Sequence, residues 1–403
     1  MFFPLIEVMD GQLVSFDPEA GATLESTAPL ERAAELYRYG TIVVIDRDAA
    51  ATTGDNRALI TELCRRFDVI VGGGIRTIND ADHYLRAGAN KVILGVGADP
   101  DLKTRFPRQR ILLALDQRPA PMGLEEWRIP SEFNPSEQTT DLRKSCSGIL
   151  YGLDGTEPGN LVSLQSQVEL PVFALGVVQS AQDILDLDRS EVDCLLDGSM
   201  RKTIDPAEAF GSLLDFDAGS GLLPTIIQDR AGQVLGLFYS NRKAVAQSLR
   251  TGQATFWSFA RGDVTVKEST QGQVLPLITS ALDSRRRSLL YTVQSTGPVC
   301  HRGTYSCFGD RRFSLETLEE VLVSRQKKAG AGSYTRQILT SSQGVAEELV
   351  RQARELAEAD SPAKVIWETA DLLYFVLVNL TRHGIGLSAV MKELRGRAGR
   401  RRQ

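Results

Sequence analysis

The densest group of residues able to do metal or nucleophilic chemistry is the run from Gly297 to Gly309, which contains Cys300, His301 and Cys307. The two thiols are separated by glycine and small polar residues. A turn there can bring both sulfurs onto one tetrahedral ion, with a third ligand arriving from elsewhere in the chain. The same spacing fits two buried structural cysteines. The sequence therefore predicts either half of a zinc site or a pair of structural cysteines.

A glycine-rich turn is the second feature of this kind. The run Val71-Gly72-Gly73-Gly74-Ile75-Arg76 follows a short apolar stretch and precedes a helical pattern. Glycines at such a place let backbone N–H groups approach an anion closely, and the start of the helix adds partial positive charge. Glycines after the next apolar stretch can complete the same cup. The pattern predicts a tight turn without a ligand or a phosphate site, whose residues would be Gly73, Gly74, Arg76, Gly95 and Gly97.

Composition limits the class of protein. A chain of 403 residues is long enough for two to four domains of roughly 100–200 residues each. Charged residues make up 24% and the net charge is -5, which gives no electrostatic argument for nucleic-acid binding. The 5 cysteines are scattered rather than arranged as a disulfide framework, so we expect a reducing compartment, the cytoplasm. The sequence contains no apolar run of roughly 18 residues, so we expect no membrane partner.

Short apolar runs alternate with helical patterns over residues 1–212. Alternation of buried strands with helices is the signature of a (β/α)8 barrel, and helical spacing is clearest over Glu31–Tyr39, Asn56–Phe67 and Asn79–Ala87. The strands are expected at Phe2–Val8, Thr41–Ile45, Val69–Val71, Lys91–Leu94, Ile111–Leu115, Gly148–Tyr151, Val172–Leu175 and Cys194–Leu196.

The rest of the chain predicts two further domains. Residues 213–221 contain the polar, glycine-rich run Asp215–Gly221, which is typical of a linker. A second domain is expected over 222–309. From Phe313 onward apolar residues recur at helical spacing, which predicts an all-α domain over 310–395. Residues 396–403 form a basic tail, either solvated or in contact with acidic partners.

The cysteine motif resembles a known family. The run Gly297-Pro298-Val299-Cys300-His301-Arg302-Gly303-Thr304-Tyr305-Ser306-Cys307-Phe308 is similar to the closing motif of phosphoribosyl-AMP cyclohydrolase, an enzyme of histidine biosynthesis. The resemblance implies a small α+β domain in which a zinc-bound hydroxide opens the adenine ring. It also implies that Cys300 and Cys307 bind zinc and that His301 is catalytic.

One segment departs from that family's pattern. The resemblance places the family's Asp-Cys-Asp-x-Asp metal run at Asp283-Ser284-Arg285-Arg286-Arg287. Asp283 is kept as a metal ligand, whereas Ser284 replaces a thiolate and is a poor zinc ligand. Arg285 and Arg287 replace carboxylates with fixed positive charges that repel a dication. We expect these arginines either to hold the phosphates of a ligand or to form a solvated surface turn.

The glycine-rich turn, together with Ala87-Gly88-Ala89-Asn90-Lys91-Val92, resembles the barrel isomerase of the same pathway, which acts on a bis-phosphorylated aminoimidazole carboxamide nucleotide. The resemblance implies an acid and a base at the carboxyl ends of opposed strands, here Glu7 and Asp116. Glu7 is one methylene longer than the family's aspartate, which moves the reacting atom by about 1 Å. The alternative is that both are acids at strand ends without a catalytic task.

The C-terminal part resembles phosphoribosyl-ATP pyrophosphohydrolase. That family binds magnesium between helices through a Glu-Glu-x-x-Glu and a Glu-x-x-Asp motif. The second motif is intact as Glu368-Thr369-Ala370-Asp371, whereas the first reads Arg351-Gln352-Ala353-Arg354-Glu355. We expect Glu355, Glu368 and Asp371 either to bind magnesium or to form a salt-bridge network with Arg351 and Arg354.

The order of the three resemblances is that of the fused histidine-biosynthesis proteins, notably the multifunctional fungal one. They imply hydrolysis of phosphoribosyl-ATP and ring opening of phosphoribosyl-AMP, with zinc and magnesium as cofactors. The altered metal residues favour two alternatives. One is a non-catalytic relative that binds a phosphoribosyl nucleotide or a partner protein, and the other is a new reaction in the barrel on a related nucleotide. Relatives of the two hydrolytic families build sites across subunit interfaces, so a homodimer is expected.

Overall fold

The computed structural model describes most of the chain. The described residues are 2–17, 21–95, 98, 99, 101–116, 142–152, 165, 166, 168–175, 180–196, 204–267, 272, 274–295, 297–328 and 342–398. They divide into two compact units, residues 1–309 with 396–403, and residues 310–395. Residues 117–141, which follow strand β7, and residues 329–341 lie outside the described residues.

A closed parallel barrel forms the first part of the larger unit. Its sheet contains β1 (Phe2–Met9), β2 (Gln12–Asp17), β3 (Gly21–Leu24), β4 (Ile42–Asp46), β5 (Val69–Gly72), β6 (Lys91–Leu94), β7 (Ile111–Asp116), β8 (Ile149–Gly152), β9 (Val172–Leu175) and β10 (Asp193–Leu196). Parallel pairing runs from β1 through β4 to β10, and β10 pairs back to β1 through Phe3 and Leu195. The predicted barrel is confirmed, and each predicted strand agrees with an observed one to within about one residue at either end.

Helices follow the strands and cover the outside of the barrel. They are α1 (Pro29–Leu36), continued by a 3-10 turn (Tyr37–Tyr39), α2 (Arg47–Ala51), α3 (Arg57–Arg66), α4 (Ile78–Ala87), α5 (Leu102–Arg105), a 3-10 turn (Arg108–Arg110), α6 (Ala181–Arg189) and α7 (Pro206–Ser212). Helix α4 begins with a capping box, in which Thr77 and Asp80 bond each other's backbone N–H groups. Helices α1, α3 and α4 agree with the three predicted helical segments.

Both faces of the barrel strands are apolar. Within β4, Val43 and Ile45 belong to a cluster of strand residues only, which fills the barrel interior. Ile42 and Val44 belong to a second cluster that also contains helix residues. Successive side chains of a strand point to opposite faces, so a strand buried on both faces appears in the sequence as a continuous apolar run.

The sequence analysis missed one hairpin. Strand β2 pairs antiparallel with the second half of β1 through Met9 and Gln12. The turn between them is Asp10-Gly11, with φ of 51° and 72°. An Asp-Gly pair with positive φ at both residues is a favoured two-residue hairpin turn. This dipeptide was the available signal.

A strand-rich domain completes the larger unit. Its elements are β11 (Leu223–Gln228), β12 (Val234–Ser240), α8 (Arg242–Thr251), β13 (Thr255–Ser258), β14 (Asp263–Val266), β15 (Leu277–Leu282) and β16 (Leu289–Val293). The four-stranded sheet has the order β12-β11-β16-β15, and β13 and β14 form a separate hairpin. Strands β15 and β16 are antiparallel and are joined by residues 283–288. Between barrel and sheet, Asp217 accepts the N–H groups of Gly219 and Ser220, within the predicted linker.

The second unit consists of helices. These are α9 (Leu315–Lys328), α10 (Ser342–Ala357), α11 (Pro362–Arg382) and α12 (Leu387–Ala398). Leu322, Val345, Phe375 and Val378 form the centre of its core. Helices α10 and α11 are joined by a short turn and pack against each other, as expected of helices with short connections.

No single helix in the described part of the chain has the length and apolar character of a membrane span. The segments Pro362–Arg382 and Leu387–Arg395 satisfy the length and composition test only when taken together, and they are bent by 108°.

The glycine turn after β5 leads to a stability prediction. Gly73 has a φ of 89°, and a Cβ atom added there would lie 2.2 Å from the carbonyl oxygen of Asp46. Gly11 has a φ of 72°, but no atom lies within 4 Å of an added Cβ. We expect Gly11→Ala to lower the free energy of unfolding by about 1 kcal/mol through backbone strain alone. Gly73→Ala should lower it by at least about twice as much, because strain and overlap add. Urea denaturation followed by circular dichroism measures both, and equal losses would contradict the packing argument.

Candidate functional site

The two predicted acids of the barrel lie on opposed strands. Glu7 is on β1, the first barrel strand, and Asp116 is the last residue of β7, the fifth. Glu7 is only 6% exposed and pairs with the guanidinium group of Arg47, which follows β4. The side chain of Asp116 lies outside the described part. This pairing engages the carboxylate of Glu7, so a role as proton acceptor would require Arg47 to move away.

Arg47 was missed by the sequence analysis. It stands directly after Asp46 at the carboxyl end of β4, and β4 pairs with β1 through Ile45 and Glu7. Residues at the carboxyl ends of neighbouring parallel strands lie close together. That position was the available signal.

The glycine turn packs tightly against its neighbours. The guanidinium group of Arg76 donates hydrogen bonds to the carbonyl oxygens of Ala49 and Ala50, both at 3.0 Å, near the end of α2. The backbone N–H of Thr77 bonds the carboxylate of Asp80 at 3.0 Å. A cation at a helix C-terminus and an acid at a helix N-terminus are stabilising arrangements. Arg76 and the first turn of α4 are thus engaged within the barrel.

Of the remaining residues of the predicted phosphate site, Gly95 is among the described residues and Gly97 is not. Gly95 follows β6, the strand next to β5, and is half-buried. Gly97 lies outside the described residues. The phosphate site formed by Gly73, Gly74, Arg76, Gly95 and Gly97 therefore stays a prediction.

The two thiols of Cys300 and Cys307 lie near the start of strand β12. Cys300 is buried and Cys307 is exposed, and both are free thiols. The backbone N–H of Cys307 donates to the carbonyl oxygen of Leu235 at 2.8 Å, which fixes the pair at the start of β12. His301 is exposed on the intervening turn.

The thiols affect each other's pKa. The pKa of Cys300 is lowered by the backbone N–H of Arg302 first, and then by the Thr304 hydroxyl and the Cys307 thiol. The pKa of Cys307 is raised by loss of solvent and by the neighbouring Cys300.

Within the described part of the chain, the turn of residues 283–288 does not bring a third zinc ligand to this pair. The turn of residues 283–288 precedes β16, whereas Cys300 follows it. The backbone of Cys307 is hydrogen-bonded to Leu235, at the start of β12. Strand β12 is antiparallel to β11, and β11 is parallel to β16, so the start of β12 lies at the end of β16. The thiols and the turn therefore lie at opposite ends of the sheet, about 17 Å apart by the length of a five-residue strand. The described residues contain no group of three metal-binding side chains, and two thiolates do not fit a zinc site.

Asp283 stabilises the turn of residues 283–288 through hydrogen bonds within it. Its carboxylate accepts the backbone N–H of Ser288 at 2.8 Å, and its carbonyl oxygen accepts the N–H of Arg286 at 2.9 Å. The pKa of Asp283 is lowered, first by the bond from Ser288. Of the two arginines expected either to bind phosphate or to be solvated, Arg285 is exposed, whereas Arg287 pairs with Asp215; Arg286 between them pairs with Asp188.

The helical unit brings its candidate acids onto two helices that pack together. On α10, Arg351 donates to both oxygens of Glu355, at 2.8 and 3.0 Å, and also to Glu348 at 2.6 Å. On α11, Glu368 and Asp371 are half-buried. Neither has an ion-pair partner among the described residues. The expected network is present for Arg351 and Glu355 only.

A buried amide, that of Gln352, lies on helix α10. Gln352 is 2% exposed, and its side-chain oxygen has no hydrogen-bond partner among the described groups.

Glu368 and Asp371 are separated by three positions on α11, so both face one side of it. Two carboxylates with water and substrate phosphates are a usual magnesium environment. These residues fit a magnesium ion, whereas Glu355 is already neutralised by Arg351.

Comparison with known proteins agrees with this arrangement. Three family models match in order: Histidine biosynthesis protein over residues 1–200, Phosphoribosyl-AMP cyclohydrolase over 237–309, and Phosphoribosyl-ATP pyrophosphohydrolase over 315–398. The histidine biosynthesis bifunctional protein HisIE of Pyrococcus furiosus is 33% identical over 198 residues, which cover 46% of this chain and 95% of that protein.

Fungal proteins are also similar. The histidine biosynthesis trifunctional protein of Kluyveromyces lactis is 33% identical over 180 residues, covering 44% of this chain and 23% of that protein. The one from Komagataella pastoris is 28% identical over 309 residues, covering 76% of this chain and 35% of that protein. The chain thus spans about a third or less of these fungal relatives.

The fold and the matched domains define a multidomain protein of amino-acid biosynthesis. The chain belongs to the family of histidine-biosynthesis proteins in which a phosphoribosyl-AMP cyclohydrolase domain precedes a phosphoribosyl-ATP pyrophosphohydrolase domain.

The sheet geometry predicts the zinc content. We expect the purified full chain to contain far less than one zinc ion per chain, and Ser284→Cys to leave that content unchanged, because residue 284 and the thiol pair lie at opposite ends of β16. Plasma mass spectrometry after dialysis measures the metal. Stoichiometric zinc in the unaltered protein would contradict the prediction. Zinc only in the Ser284→Cys variant would mean that a second chain supplies the ligand.

Proposed function

We propose that this protein acts in histidine biosynthesis by hydrolysing phosphoribosyl-ATP in its helical unit, releasing pyrophosphate and phosphoribosyl-AMP. The observation that carries the proposal is the pair Glu368 and Asp371, two half-buried carboxylates without an ion-pair partner in the described part of the chain. Partly buried acids without a cation are unfavourable in a purely structural role. The names of the relatives support the pathway.

In the helical unit, we assign metal binding to the two carboxylates and triphosphate binding to an arginine. Glu368 and Asp371 would hold magnesium, which neutralises phosphate charge and polarises the phosphorus under attack. Arg354 is exposed on α10, three residues after Arg351, and a guanidinium group there suits the triphosphate. In the reaction a water oxygen would bond to the α phosphorus, the bond from that phosphorus to the bridging oxygen would break, pyrophosphate would leave, and the water would lose its proton to solvent. Glu355 keeps Arg351 in place through its two hydrogen bonds.

Ring opening of phosphoribosyl-AMP is not part of the proposal for a single chain. The donor set at Cys300 and Cys307 lacks a third ligand among the described residues, so no step is assigned to zinc. His301 stays a predicted catalytic residue, as do Glu7 and Asp116 in the barrel. The homodimer and the cytoplasmic location also stay predictions.

A specific contact favours a second function. The pairing of Arg351 with Glu355 engages a carboxylate that a magnesium site would need, and a guanidinium group there raises the free energy of placing a dication nearby. The alternative is a protein that binds a phosphoribosyl nucleotide without hydrolysing it.

Turnover of phosphoribosyl-ATP separates the two functions. We expect the full chain to release pyrophosphate in the presence of magnesium. Glu368→Gln and Asp371→Asn should each reduce the rate by about 100-fold, because each removes one metal ligand. The matched control is Glu358→Gln, an exposed acid at the end of the α10 helix, which should keep the full rate. Release is measured by a coupled pyrophosphate assay with a melting curve for each variant. Nucleotide binding without magnesium-dependent release in the unaltered protein supports the alternative.

Arg351 should set the affinity for the metal. We expect Arg351→Gln to tighten magnesium binding by roughly tenfold, because it removes a positive charge from the helix that packs against α11 and releases Glu355. Arg382→Gln, near the far end of α11, is the control for the loss of a charge. Manganese, which can replace magnesium and is detected by electron paramagnetic resonance, reports the affinity. An unchanged affinity would mean that magnesium is not bound beside α10.

A further inference from the structure

The turn of residues 283–288 reaches from the strand-rich domain to the barrel. Arg286 pairs with Asp188 on α6, a barrel helix. Arg287 donates to the carboxylate of Asp215 at 2.7 Å, at the start of the linker. The backbone N–H of Asp215 donates to the carbonyl oxygen of Arg286 at 2.9 Å. Two side chains and one backbone group of a single turn therefore bind the barrel or the linker.

The acid that receives Arg286 is buried. The side chain of Asp188 is 3% exposed, whereas that of Arg286 is 34% exposed. Burying a carboxylate is strongly unfavourable unless a cation and hydrogen bonds accompany it. The burial of Asp188 is therefore compatible with a folded barrel because the neighbouring domain supplies a guanidinium group.

The backbone of the turn is shaped to present Arg286. This residue has a φ of 59°, a left-handed conformation that side chains other than glycine rarely adopt. Asp283 fixes that conformation through its bonds to Arg286 and Ser288. Local strain of this kind persists where the surrounding structure stabilises it, and the contact with Asp188 provides such stabilisation.

Further contacts continue the same interface. Arg38 donates to the carbonyl oxygens of Leu249 and Arg250, both at 3.1 Å, at the end of α8. Ser280 donates to the carbonyl oxygen of Arg38 at 2.6 Å. Arg250 in turn donates to Asp205 at 2.7 Å, just before α7. One hydrophobic cluster includes both barrel residues and residues of the four-stranded sheet.

We propose that the turn Asp283–Ser288 is a docking element that joins the strand-rich domain to the barrel as one cooperative folding unit, with the barrel as its scaffold. Arg286 and Asp188 are the central pair of this interface. The barrel then has a task that is independent of either hydrolytic reaction. This assignment does not depend on the proposed function.

A double-mutant cycle in the full chain tests the proposal. The variants are Arg286→Ala, Asp188→Asn and both together, and Asp188→Asn keeps the shape of the side chain. We expect each single change to lower the melting temperature of the larger unit by roughly 5 °C. The double variant should lose little more than either single one, because the two residues share one interaction. Differential scanning calorimetry measures the shifts.

The same turn provides a matched control. Arg285 is exposed, and its side chain makes no hydrogen bond or ion pair with the described residues. Arg285→Ala removes the same charge from the same turn and should leave the melting temperature unchanged. Equal shifts for Arg285→Ala and Arg286→Ala, or additive shifts for Arg286→Ala and Asp188→Asn, would overturn the proposal.

A second measurement covers the case in which a variant folds poorly. Arg286→Lys keeps the charge but loses the planar guanidinium geometry. In this variant we expect amide hydrogens of α6 and of the turn to exchange faster together, as one unit. Faster exchange in the turn alone, with α6 unchanged, would mean that the turn does not hold the barrel.

Discussion

Placing a carboxylate away from water is unfavourable unless a cation accompanies it. In this chain, arginine side chains pair with the buried carboxylates of Glu7 and Asp188. Glu7 in the barrel pairs with Arg47, and Asp188 on the outside of the barrel pairs with Arg286. These acids lie in different settings, yet each is compatible with burial because a guanidinium group reaches it. A carboxylate engaged in this way keeps its charge but loses its availability to a metal ion or a moving proton.

The carboxylates that pair with an arginine differ in expected role from those that have no ion-pair partner among the described residues. Asp188 has a structural role, since its partner belongs to the next domain. Glu7, the predicted proton-transfer residue of the barrel, is engaged by Arg47. Glu368 and Asp371 differ, because they are partly buried and have no ion-pair partner in the described helices. The helical unit is for this reason the better candidate for hydrolysis than the thiol pair, whose two sulfurs have no third ligand near them in the described chain.

Local patterns of the sequence were sufficient for most of the fold. Continuous apolar runs located the barrel strands because these strands are buried on both faces. The spacing of Arg351 and Glu355 predicted their pairing, since residues four apart meet on a helix. The hairpin after β1 was missed although Asp10-Gly11 indicated it. The contact between Arg286 and Asp188 was beyond local reasoning, because the two residues are 98 positions apart and only the docking of two domains brings them together.

Strand direction explains why an intact motif does not imply an intact site. The run from Cys300 to Cys307 is complete in the sequence, and the fold places its thiols in contact. A metal site also needs ligands from distant segments, and the direction of β16 decides which segments can meet. Residues before β16 emerge at one end of the sheet, next to the barrel, and residues after it emerge at the other. Residues 283–288 thus contact the barrel and the linker at one end of the sheet, whereas the thiol pair lies at the other end.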